Sequence, residues 1–178
     1  MGLYTMMSHG QGDSEEKSMS LVVSLPSVIS FLTGLILLSG YSCMDLKHRK
    51  VPNRFIAGTA TIGVVVVLLT GEILENWIVY LSATSCMLVI SYLLFHIGAM
   101  GGADAKASLV VGLVSPGLMF GSLGSPVFEG VLISCLEILV MMGIGYGVYR
   151  CRENCEDTIP LIPALLIGYL SVQLLAML

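Results

Sequence analysis

Residues 77–108 read WIVYLSATSCMLVISYLLFHIGAMGGADAKAS, and they decide the fold class. Residues 77–97 contain no Asp, Glu, Lys or Arg. An apolar run of about 20 residues is the length that crosses the hydrocarbon core of a bilayer. Lipid offers no hydrogen-bond partners, so such a run must satisfy its own backbone and is helical. The run then breaks into Gly98, Gly101 and Gly102, followed by Asp104 and Lys106. A carboxylate held in a glycine-rich break at the membrane border calls for a reason.

Five further apolar segments flank this one, at about residues 21–44, 55–70, 105–123, 127–149 and 159–178. The fourth is the weakest, because Gly112, Pro116, Gly117 and Gly121 interrupt it. The chain is 56% hydrophobic and 11% charged, whereas soluble domains are about 25% charged. The expected fold is all-α: a polytopic membrane protein with six transmembrane helices. Residues 1–20 are polar and are expected to be a disordered extracytoplasmic tail. Residues 21–178 form the six-helix membrane domain. The first apolar run is long and preceded by acids, so it reads as a retained helix and not a cleaved signal.

Composition narrows the function. No basic stripe points to nucleic acid. Cys151 and Cys155 are spaced CxxxC with no second pair and no nearby histidine, short of the four ligands a zinc site needs. The other cysteines lie in or beside apolar runs and read as small hydrophobes. His48 and His96 lack metal-ligand spacing. No metal and no cofactor is expected. The lipid bilayer is the expected surrounding, and oligomeric state is open.

Lys47, Arg49, Lys50, Arg54, Lys106, Arg150 and Arg152 fall in alternate connections of a six-helix serpentine. The positive-inside rule puts those connections in the cytoplasm and both termini outside. Asp45, closing the first helix, and Asp104, opening the fourth, then lie at one membrane depth on the cytoplasmic side. Acids near membrane depth are costly and turn toward the bundle interior. Two such carboxylates sharing a proton can hydrolyse a peptide: one takes a proton from water while the other polarises the scissile carbonyl. Two alternatives stand on charge placement alone. Each acid could be an interfacial cap, with Asp45 paired to Lys47 or His48. The pair could also be a proton relay in a small transporter or channel.

The local words favour proteolysis. DLKHRKVPNRF at 45–55 and GGADAK at 101–106 together resemble the type IV prepilin peptidases, including the archaeal preflagellin peptidases. IPLIPALLIGYL at 159–170 is similar to that family's last helix, with its paired prolines. The resemblance implies a membrane aspartic endopeptidase with Asp45 and Asp104 as its catalytic pair. It implies membrane-anchored pilin-like or archaellin precursors as substrates, cut after a basic leader at the cytoplasmic membrane face. Ala103 stands where the family often has glycine before the second aspartate, which points toward the archaeal branch. A cysteine-rich cytoplasmic insertion has no room here, so no methyltransferase activity is expected.

Gly98, Gly101 and Gly102 are expected to let a substrate strand approach; Gly98 and Gly102 also make a small-xxx-small pair suited to helix packing. Lys106 is either a pKa-lowering neighbour of Asp104 or an interface anchor. Pro163, with Ala164 and Leu165, looks like the short motif facing the active site in presenilin-type proteases; it could equally start or kink the last helix. Glu137, near the middle of the fifth segment, is by its depth a functional-site candidate; the favoured expectation is a protonated acid hydrogen-bonded across a helix interface. Glu153, Glu156 and Asp157 could attract a basic leader.

Overall fold

The computed structural model describes residues 25–48, 51–116, 125–151 and 161–175. The polar tail, Glu153, Cys155, Glu156 and Asp157 lie outside the described residues, as does 117–124 of the proline- and glycine-rich stretch. Seven helices occupy the described chain: α1 (Leu25–His48), α2 (Asn53–Leu69), α3 (Glu72–Glu75), α4 (Trp77–Ile97), α5 (Gly102–Val114), α6 (Pro126–Cys151) and α7 (Ile162–Leu175). Among the described residues there is no strand.

Three helices, α1, α4 and α6, are long and apolar enough to cross a membrane, whereas six spans were expected. α2 and α7 are shorter apolar helices. α5 has 13 residues, about 20 Å at 1.5 Å per residue, so the fourth segment is not one continuous helix over 105–123. Pro116 explains the stop. Proline disfavours helical geometry in the residue before it, and Ser115 has φ −151 and ψ 69. Within the GEILEN connection at 71–76, Glu72–Glu75 form α3; Gly71, at φ +79, makes the turn into it.

α5 sits in the middle of the bundle, touching α1, α2, α4 and α7, while α6 packs between α4 and α7. Small residues let these helices approach closely. A Cβ on Gly130 of α6 would fall 2.8 Å from the Val79 carbonyl of α4, and one on Gly112 of α5 would meet Thr84 Cα at 3.2 Å. On α1 the buried residues Ser30, Gly34, Leu38, Tyr41, Ser42 and Asp45 recur at intervals of about three to four, which defines one inward stripe. Tyr41 is tied to α2, its hydroxyl 2.6 Å from Thr59 Oγ1.

α1 and α5 run antiparallel. The Ser30 hydroxyl donates to the Val114 carbonyl at the end of α5, and Tyr169 of α7 donates to Ser115 Oγ at 2.8 Å. The Ser30 bond, with that of Thr84 to the Gly112 carbonyl at 2.9 Å, satisfies C-terminal carbonyls of a helix that ends inside the bundle. Glu137 of α6 is buried, but its Oε1 has no hydrogen-bond partner. The cross-helix hydrogen bond expected of it is therefore missing at that oxygen.

Candidate functional site

Where α1 ends and α5 begins, three connections fold inward. Val51, Met100 and Ile162, all loop or helix-end residues, are buried in the core there. Asp45 occupies the last buried position of the α1 stripe and is 8% exposed. The backbone N–H of Ile162, at the start of α7, donates to its carboxyl. A helix N-terminus presents free N–H groups to anions, so the third motif meets the first through backbone. The Asp45 Oδ2 is buried without a partner. Among the described residues no ion pair joins Asp45 to Lys47 or His48; both of those residues are exposed.

Asp104 lies in the first turn of α5, ahead of its apolar part and outside the three long spans. Its Oδ2 accepts the Gly101 N–H at 3.1 Å, so the capping role is real. Capping does not exhaust the side chain. Burial, and after it the charge of Asp45, push the Asp104 carboxyl up to about 6, against the pull of the Gly101 N–H. The two aspartates are thus close enough for one charge to act on the other. Like charges in a poorly solvated place keep a proton between them.

The glycines divide. Gly98 ends α4 at φ +79, with the Ala99 N–H closing onto the Leu94 carbonyl at 2.9 Å. That left-handed position favours glycine. Gly101 is the extended N-cap of α5, and a Cβ there would press on Asp104 Oδ2 at 2.7 Å. Gly102 has ordinary room, its nearest neighbour being Phe95 at 3.5 Å. Gly98 and Gly102 belong to different elements and a Cβ on Gly98 would meet nothing within 4 Å, so they do not form the small-xxx-small packing pair.

Lys106 is exposed and donates from Nζ to Asn53 Oδ1 at 2.7 Å. It clips α5 to the start of α2 and gives Asp104 no ion pair. Asn53, the first residue of α2, carries this contact, and sequence reasoning gave it no role of its own. Pro163 stands in the first turn of α7, where a missing N–H costs nothing; the group that meets Asp45 is its neighbour Ile162. That contact had no side-chain signal to reveal it. Among the described residues no cluster of three or more His, Cys, Asp or Glu could hold a metal.

Compared with known protein families, residues 29–145 match the model of the type IV leader peptidase family. The matched span carries both aspartates and stops before α7. No curated protein matches the chain, and no solved structure does.

Proposed function

The chain belongs to the type IV leader peptidase family, and from that premise we propose that it is an aspartic endopeptidase whose catalytic pair is Asp45 and Asp104. The observation that carries the reading is their convergence: two acids from distant parts of the chain lie at one end of the bundle, close enough for the charge of Asp45 to act on Asp104, and among the described residues neither has a cationic partner. A water held between them attacks the scissile carbonyl. The ionised carboxylate takes the water's proton as the new C–O bond forms. The protonated carboxyl hydrogen-bonds the carbonyl oxygen and stabilises the charge gathering there. Proton delivery to the amide nitrogen then lets the C–N bond break.

The substrates are membrane-anchored precursors with a class III leader, pilin-like or archaellin-like, and they are cut at the cytoplasmic membrane face. A basic leader before a hydrophobic helix suits a site at the rim of a membrane bundle. The apolar helix stays in lipid while the leader stays in water. The connection between α1 and α2 is only residues 49–52, which supports a peptidase without a methyltransferase insertion there. The six-span serpentine, with this rim inside the cell and both termini outside, is part of the same proposal and rests on the alternating basic connections.

The test is cleavage of a precursor by purified protein in detergent or lipid. Asp45→Asn and Asp104→Asn should each abolish it while leaving the helical content unchanged. Full cleavage by either variant rules out the pair. Neutralising Glu153, Glu156 and Asp157 together should raise KM for a basic leader, and an unchanged KM removes them from leader recognition.

A further inference from the structure

The opposite end of the bundle holds a second polar cluster, with no part in the chemistry above. Four elements contribute to it. From α1 comes the Ser30 hydroxyl, from α4 the Tyr80 hydroxyl, and from α5 the Val114 carbonyl. From the short α3 comes Glu72.

Ser30 Oγ and Tyr80 Oη are 3.0 Å apart. Tyr80 Oη and the Val114 oxygen are 3.5 Å apart, and Ser30 Oγ also bonds that oxygen. The three oxygens form a small triangle. Ser27 and Ser30 lie within hydrogen-bonding reach of the Glu72 carboxyl, whose Oε2 is shut off from solvent without any partner. Ser30 and Tyr80 are 2% and 7% exposed. The helix dipole of α5 adds negative potential, since Val114 is its last residue. Hydroxyls, a carboxylate and the carbonyls of a helix ending within a membrane bundle are the donors that hold alkali cations there.

We propose that Glu72, Ser30, Tyr80 and the Val114 carbonyl bind one small, hard monovalent cation, sodium by size. A single carboxylate balances a single positive charge. Glu75, the other acid of α3, points outward and is exposed. Oxygens set 2.5 to 3.5 Å apart would have to spread a little for sodium and much further for potassium. Burial raises the pKa of the Glu72 carboxyl; a bound cation reverses that pull and stabilises the ionised form. Ser30 lies fifteen residues before Asp45 on α1, about 22 Å along the helix. The ion therefore takes no part in hydrolysis. It pins α1, α3, α4 and α5 together and holds the far end of the catalytic helices.

The full-length protein in detergent, titrated with sodium chloride against choline chloride at constant ionic strength, tests this. Tm should rise with the logarithm of sodium concentration, as it does for a ligand bound only by the folded state. Potassium and choline should give no rise. The single tryptophan, Trp77, opens α4 beside α3 and should report the ion through its fluorescence. Glu72→Gln, and separately Tyr80→Phe, should remove the sodium effect. Equal Tm of the wild type in sodium and choline overturns the proposal, whether or not the variants fold. So does a sodium effect kept in full by Glu72→Gln, or a response to calcium in place of sodium.

Discussion

Ser30 donates its hydroxyl to the carbonyl of Val114 across the bundle, and with it sets α1 antiparallel to α5. Fifteen residues further along α1 lies Asp45, and back at the start of α5 lies Asp104. One buried hydrogen bond at the far end of the bundle thus helps bring two distant acids to the same rim.

The pH dependence of cleavage follows from that convergence. The pair needs one proton to polarise the carbonyl and one ionised group to take a proton from water. Asp104 titrates near 6, so the shared proton is lost as pH rises through that value. kcat/KM should fall on the alkaline side by about tenfold per pH unit. A flat profile from weakly acid to alkaline pH would contradict the shared proton.

Asp104 should also cost stability. Its folded pKa, about 6, exceeds its ordinary value of 3.8. The folded state therefore holds the proton more tightly than the unfolded state. Stability is greatest below pH 4 and is lost as pH rises from there to about 6, after which the loss is constant. Asp104→Asn removes the loss and still accepts the Gly101 N–H. The variant should be inactive yet more stable than wild type at neutral pH, by about 1–2 kcal/mol after allowance for partial solvent access. At pH 4 the two should melt together.

Neighbouring glycines should respond differently. Gly101→Ala drives a methyl against Asp104 Oδ2 and should cut kcat at least about tenfold with little change in stability. Gly102→Ala meets only Phe95 at an ordinary distance and should leave the rate within about twofold of wild type. Gly98→Ala must hold φ +79, so it should lose about 1 kcal/mol of stability. Parallel rate and melting measurements on the three separate these outcomes.

Glu137 is a buried acid with an unpartnered oxygen in the longest helix. An acid at such depth costs about 2.5–3.5 kcal/mol on insertion scales. Glu137→Leu should raise Tm and leave cleavage intact. Loss of cleavage in a folded Glu137→Leu protein would instead give this acid a part in the chemistry.

Gly130→Ala should do the reverse. Its methyl would fall 2.8 Å from the Val79 carbonyl, forcing α4 and α6 apart at a cost of about 1–3 kcal/mol. Thermal unfolding of this variant gives the measurement.

The sequence by itself determined the all-helical, membrane-suited class and singled out the two acids, while the count of spans, α3 and the short α5 were not legible in it. Runs of apolar residues set the helices, glycine and proline set the breaks at Gly98 and Pro116, and a carboxylate beside an apolar run stands out by cost alone. The sequence did not determine which face of each helix turns inward. In a soluble protein, water marks the outer face with polar residues. Here lipid and core are equally apolar, so Leu165 in the core and Ile167 outside it look alike in the chain. Tertiary structure decided that Ile162 meets Asp45 through a backbone N–H, which no side chain announces. It decided that Lys106 reaches Asn53 and leaves Asp104 to Asp45. It also drew Glu72, to all appearance a solvated connection residue, against Ser27 and Ser30 of α1. A helix stopped inside the bundle leaves carbonyls that hydroxyls from other elements must gather to meet, and that need exists only once the helices have packed.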